Sequence, residues 1–441
     1  MQKMVWGIVL AALVLASMAT VAATDIDVNG QVRFRDEIDL RSFDSARTAE
    51  HYCDLRTRVG FDAKVNDNVS AFVQFQNWRH FGHGGSNFMS PQNTWDDQGR
   101  YVEIHQGYLQ VNRFLVDGLG IKFGRFEFVH GNQRVFGGVG WSNVGRAMEG
   151  GQLWYAHERF TLKAFRLHMR ENDNEFYNAD FDIFGGILSK PGLIKFEDKG
   201  RVDVDLFGFL EYDADTAGHL NNVNELNRLN FGTYLTAEHG DLDFTGNFVL
   251  QTGKAPCDEF DATVTDSVIA TTENDISAMM FFGEAGFSFE KGRIAAGIDY
   301  SSGDDNATDT KYKAYQNSYY TGHKFRGYMD YFVASDEAGL MDIFFRGSYS
   351  PNGLCKVAGD LHLFSTAVDY VDPTVTTTTS MTKDVGMEID ITASSTAVDG
   401  ITFQAGGSVF MAKDAFAMAR SNSANPEKTG FWAYFMMTVD F

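Results

Sequence analysis

The chain ends in FWAYFMMTVDF, and those eleven residues constrain the fold more than any other stretch. Read with period two, Phe431, Ala433, Phe435, Met437, Val439 and Phe441 share one face. Trp432, Tyr434, Met436, Thr438 and Asp440 share the other. In water an apolar edge strand of this kind templates aggregation. A barrel closed inside a bilayer has no edge, and its apolar face meets lipid.

The same alternation recurs along the chain. Val202, Val204, Leu206, Gly208 and Leu210 alternate with Arg201, Asp203, Asp205 and Glu211. Leu242, Phe244, Gly246, Phe248 and Leu250 alternate with Asp243, Thr245, Asn247 and Gln251. A soluble β-sandwich would show this too, so the connections decide. Short polar turns stand at Asn66-Asp67-Asn68, Asp117-Gly118, His157-Glu158, Asp198-Lys199-Gly200, Glu238-His239-Gly240-Asp241, Lys291-Gly292, Asn352-Gly353 and Asp399-Gly400. Longer polar connections separate them, near 79–99, 129–147, 253–276, 303–338, 365–384 and 412–428. Short turns on one side and long loops on the other are the pattern of an outer-membrane barrel. Eight periplasmic turns with both termini periplasmic require eighteen strands, with 430–441 pairing to Asp25–Asp36. The fold expected is an all-β, antiparallel transmembrane barrel over 24–441, in the bacterial outer membrane.

Proline is scarce at six residues, as paired strands demand. Five fall in expected turns or loops, and Pro191 falls inside an expected strand. Residues 1–23 read as a secretory signal peptide: Lys3, an apolar run from Val5 to Leu15 too short to span a bilayer, and small residues Val21-Ala22-Ala23 before the cut. Cys53, Cys257 and Cys355 are an odd set without metal-ligand spacing. Cys53 and Cys257 are expected in outer loops. Trp78, Trp154, Tyr155, Phe431 and Trp432 read as interface girdle residues.

The net charge of -22 excludes a nucleic-acid partner, which needs basic patches. Much of the acid falls in the long loops. Asp304, Asp305 and Asp309 are weak candidates for a cation site, since oxygens at alternate positions can ligate calcium. The bases are more telling. Val32 and Phe34 should face lipid, which turns Arg33 and Arg35 inward; Leu55, Thr57 and Val59 do the same for Arg56 and Arg58. Four guanidiniums on neighbouring strands form a basic ladder, and such rings select anions in pores. Alternatively, each pairs with an inward acid such as Asp27, Asp62, Asp203, Asp205, Asp243 or Asp299.

Two stretches resemble the alginate-export family of outer-membrane channels. One carries Gly124-Arg125, Gln133-Arg134, Gly137…Trp141 and Arg146. The other carries Ser302-Gly303-Asp304-Asp305, Gly322-His323 and Gly327-Tyr328-Met329-Asp330. The resemblance implies an 18-stranded monomer with a basic lumen that passes an acidic polysaccharide. It also implies that Arg125, Arg134 and Arg146 line the pore, with His323, Lys324 and Arg326 in a loop that folds toward the constriction. Phe126 departs from the family, which often has a polar residue there. The final aromatic, Phe441, resembles the shared signal read by the barrel-assembly machinery.

The leading expectation is a passive channel for small polar or anionic solutes, including uronates or an acidic polysaccharide, without a cofactor. An alternative is a sheath around a periplasmic redox partner; no Cys-X-X-Cys-His binds heme in the chain itself. An enzyme is least favoured, since neither a Gly-X-Ser-X-Gly elbow nor a His-Glu-X-X-His is present. His157, His168 and His239 sit near expected strand ends as interfacial residues.

Overall fold

The computed structural model describes residues 25–81, 102–171, 180–196, 200–215, 226–260, 268–306, 309–371 and 381–441. The expected signal peptide and most of the 79–99 connection lie outside the described residues. The chain begins with β1 (Asp25–Leu40). Eight hairpins then follow one another. They are β2 (Glu50–Lys64) with β3 (Val69–His80), β4 (Glu103–Val111) with β5 (Leu119–Phe126), and β6 (Met148–His157) with β7 (Phe160–Arg170). Next come β8 (Phe181–Phe196) with β9 (Gly200–Asp213), β10 (Leu226–His239) with β11 (Leu242–Phe260), and β12 (Val268–Phe289) with β13 (Gly292–Ser301). A two-residue strand, β14 (Lys311–Tyr312), precedes β15 (Leu340–Asn352) with β16 (Cys355–Val371) and β17 (Met381–Val398) with β18 (Ile401–Ala412). A one-turn helix, α1 (Asp414–Ala419), leads to β19 (Thr429–Asp440). Setting aside β14, which only touches β12, the barrel has eighteen strands. Each of the eight short turns joins the hairpin expected of it.

The barrel closes where it should. β19 pairs with β1 from Gln31↔Asp440 to Leu40↔Phe431, with Phe441 and Gly30 exchanging backbone hydrogen bonds. Val32, Phe431 and Phe435 lie exposed on the outer face, while Arg33, Arg35 and Trp432 are buried inside.

Three expectations change. Residues 253–260 and 268–276 are strand, not loop: β11 and β12 run through them, paired from Leu242↔Phe287 to Phe260↔Val268, and 261–267 lie outside the described residues. Pro256 lies opposite Glu273 of β12, and among the described residues the β10 register ends at Lys254. Cys53 lies inside β2 rather than in a loop. Trp432 and Trp78 are not girdle residues. Trp432 is 1% exposed and donates to Glu37 Oε2 at 2.8 Å, and Trp78 lines a lumenal cavity. Trp154 sits on the face opposite the exposed Leu153 and Tyr155, so it too is turned inward. Pro191 falls between Lys190 and Ile194, where the β8–β9 register slips.

The lumen is filled by two chain segments, 127–147 between β5 and β6, and 302–339 between β13 and β15. Aromatic packing holds them. Phe128 and Phe136 pack on Phe165 and Phe209 of the wall, and Phe136 stacks on Tyr319 at 5.5 Å. On the other side Phe332 packs on Phe364 and Phe410, with Phe43 and Phe416 beside them. Each buried aromatic contributes about 1.5–3 kcal/mol, so the segments fold as part of the barrel.

Candidate functional site

The two segments meet across the lumen. Gly137 N–H donates to Tyr319 O at 2.8 Å, Thr321 N–H to Gln133 O at 3.1 Å, and Thr321 Oγ1 to Gln133 Oε1 at 2.8 Å. Glycine is required at 137 because a Cβ would sit 2.1 Å from Thr321 Oγ1. The result is a septum of backbone bridged at its middle.

The arginine ladder holds the near side of that septum. Arg33 donates to Gly140 O at 2.9 Å and Asn143 Oδ1 at 2.8 Å. Arg56 donates to Ser142 O at 2.7 Å, Gly140 O at 3.0 Å and Gln31 Oε1 at 2.5 Å. Arg35 donates to Trp141 O at 2.7 Å and lies over the Trp141 ring at 4.5 Å. Arg58 donates to Val144 O at 3.1 Å, Gln76 Oε1 at 2.6 Å and Glu127 Oε1 at 3.2 Å. The sequence placed these four side chains inward, and they are inward. Their purpose is different from an open ring, because they grip the carbonyls of 140–144. Arg35 is also paired with Glu37, and Arg58 with Glu127. Among the described residues, Arg33 and Arg56 have no carboxylate partner. The hydrogen bonds they make go to neutral oxygens, so their charge is not cancelled.

Against the septum, beside β1, β2, β3 and β19, lies a cavity of about 620 Å³. Arg35, Arg41, Arg146, His323, Trp141 and Trp78 are among the residues that line it. Arg146 donates to Tyr320 O at 3.2 Å and, among the described residues, meets no carboxylate. His323 stacks on Trp141 at 4.3 Å with the rings 9° from parallel, and its Nδ1 faces Asp330 Oδ1 at 2.9 Å. Glu37, Asp54 and Asp330 also border the cavity, so its lining sets three carboxylates against the three arginines. Lys324 donates to Asn132 O at 3.1 Å, which fastens one segment to the other.

The remaining expected bases stand elsewhere. Arg134 is 0% exposed and grips Asp299 with both arms, at 2.9 and 2.7 Å, while also donating to Asn317 Oδ1. Arg326 reaches the same Asp299 at 3.4 Å and Ser301 Oγ at 2.5 Å. The geometry makes both of them anchors that tie the septum to β13, away from open lumen. Arg125 is on the outer face. It shares β5 parity with the exposed Phe123 and pairs across with Glu149, whereas Lys122 and Phe126 point in. Lys122 sits over the Tyr108 ring at 4.1 Å, a lumenal base that the sequence reading passed over.

Asp304, Asp305 and Asp309 do not converge on an empty point. Lys313 Nζ takes Asp305 at 2.8 Å and Asp309 at 3.2 Å, and the Lys313 amide takes Asp304 at 3.1 Å. His157 stacks on Phe160 and His239 meets Phe196 edge-on, both at strand ends. His168 faces Asp182 at 2.8 Å on the outer side of β7.

Comparison with known proteins adds the following. The model of the family described as alginate export matches residues 24–428. No curated protein sequence matches. Among solved structures, Pseudomonas aeruginosa OpdK with vanillate superposes at a TM-score of 0.59 and 11% identity, covering 94% of this chain and 98% of that one. P. aeruginosa OccK2 (OpdF) in complex with glucuronate gives 0.55 and 11%, covering 95% and 98%. P. aeruginosa OpdL gives 0.57 and 9%, covering 95% and 99%. At such identities these likenesses concern the fold.

Proposed function

From the premise that this chain belongs to the alginate-export family and is a β-barrel of the bacterial outer membrane, we propose that it is a passive channel for small anionic solutes, sugar acids among them. One observation carries the reading. Arg146 lines the lumenal cavity, and Arg33 and Arg56 stand behind its lining residues Ser142 and Asn143, which they grip; none of the three positive charges has a carboxylate partner among the described residues. A low-dielectric wall strengthens that field, so the cavity concentrates anions. Arg146 offers its remaining donors to a carboxylate, and the flat rings of Trp141 and Trp78 offer surfaces for the apolar face of a sugar or an aromatic acid.

Size argues for a small solute over a polymer. A cavity of about 620 Å³ falls in the range of about 300–1,000 Å³ usual for small-molecule sites. A septum bridged at Gly137 and Thr321 leaves little room for an extended acidic polysaccharide, and the same septum weighs against a sheath around a redox protein. The vanillate and glucuronate in two of the superposed channels are both small carboxylates, which supports the same class.

The test is flux into proteoliposomes, comparing glucuronate with glucose. Wild-type protein is expected to favour glucuronate, and Arg146→Ala to lose that preference while still passing glucose. Equal rates for both solutes in the wild type would count against an anion channel.

A further inference from the structure

A second set of side chains stands apart from the lumen. On the outer face of the β1–β2 hairpin, Asp36 Oδ1 faces His51 Nε2 at 2.8 Å and Cys53 Sγ at 2.8 Å. Among the described residues this is the one trio of His, Cys, Asp or Glu whose donor atoms all lie within 4.8 Å of one another. We propose that Asp36, His51 and Cys53 form a site for a borderline-soft divalent cation, best fitted by zinc, on the cell-surface side of the barrel.

Strand geometry builds the site. Asp36 and Cys53 are directly paired in the β1–β2 register, and His51 lies two residues from Cys53, on the same face. Side chains on directly opposed residues stand about 4.5–5.5 Å apart at Cβ, and diagonal neighbours are also in reach. Rigid paired strands therefore hold three ligands from two chain segments without help from a loop. Parity puts all three outside: Arg33, Arg35 and Glu37 are buried inward, so Asp36 points out. β1 and β2 are joined at the long-loop end of the barrel, and the site lies on the part of the hairpin nearest that end.

The donor set selects the ion. Thiolate, imidazole and carboxylate together match zinc, which takes Cys, His and Asp in tetrahedral sites. Hard cations such as calcium and magnesium prefer all-oxygen cages. Bonds of about 2.0–2.3 Å place tetrahedral donors about 3.4 Å apart, so the trio opens by roughly half an ångström on binding. His51 is free to make that adjustment, since its side chain is 62% exposed. Binding releases the Cys53 proton to solvent, and three protein ligands leave the fourth position to water. The ion would staple β1 to β2 beside the seam where β19 closes the barrel.

Tag-free protein in detergent, kept reduced with a non-chelating reductant, is titrated with Co²⁺ and then Zn²⁺. One ion per chain and a thiolate-to-cobalt charge-transfer band, displaced by Zn²⁺, are expected. Cys53→Ser should abolish the band. His51→Ala and Asp36→Asn should weaken binding by about tenfold or more. Cys355→Ser should change nothing, and each variant should keep the wild-type heat-modifiable band on a gel, showing a folded barrel. No band in the wild type would overturn the site and leave the trio as an ordinary hydrogen-bonded cluster. A band that survives Cys53→Ser, or one lost in Cys355→Ser, would also overturn it.

Discussion

Two groups of buried arginine occupy the same lumen and do opposite things with their charge. Arg134 and Arg326 converge on Asp299, which offsets one of their two charges, so they act as rivets between the septum and β13. Arg33 and Arg56 are buried nearly as deeply, at 4% exposure each, but donate to backbone carbonyls and side-chain amides. A carbonyl satisfies a guanidinium's hydrogens and leaves its charge standing. Inward direction alone therefore says nothing about whether an arginine is felt by a solute; its partner decides.

Four variants probe this contrast, in descending order of expected effect. Asp299→Ala strands two buried guanidiniums, and losing one partner of a buried pair costs about 3–5 kcal/mol. Urea unfolding should show that loss, together with noisier, larger conductance as the septum comes loose. Gly137→Val forces a side chain into the Thr321 contact, and overpacking of this kind costs about 1–3 kcal/mol. It should separate the two segments and raise conductance while leaving the Asp299 rivet in place. Arg33→Gln with Arg56→Gln keeps donors for Gly140 and Ser142 but removes two charges. Stability should fall by about 1–2 kcal/mol, the scale of a few weakened hydrogen bonds, while ion preference changes strongly. Arg125→Ala removes an exposed pair with Glu149 worth about 1 kcal/mol or less, and should alter neither selectivity nor conductance.

Much of this was legible in the chain. Turn chemistry located all eight hairpins, because Asn-Gly and Asp-Gly pairs and their relatives suit only tight connections. Period two gave the direction of Arg33, Arg35, Arg56 and Arg58 because β1 and β2 carry a clean apolar face. It gave less in β5, where Phe123 and Phe126 put an aromatic on each face, and there Arg125 turns out to face outward. Trp432 was already on the polar parity of β19, yet its aromatic character suggested the girdle. Its burial depends on Glu37 and Trp141, residues far away in sequence. The Arg134–Asp299 rivet joins positions 165 apart, and no local pattern announces such a pair. The trio on β1 and β2 was invisible for a related reason, since ligand spacing read along one strand misses a partner supplied across the ladder.

The most direct test of the central claim is the reversal potential of single channels under a potassium chloride gradient. Wild type, Arg33→Gln with Arg56→Gln, and Arg125→Ala are compared in the same bilayer. The account predicts anion preference in the wild type, its loss in the double variant, and no change in Arg125→Ala. A cation-selective wild type, or a double variant with an unchanged reversal potential, would contradict it.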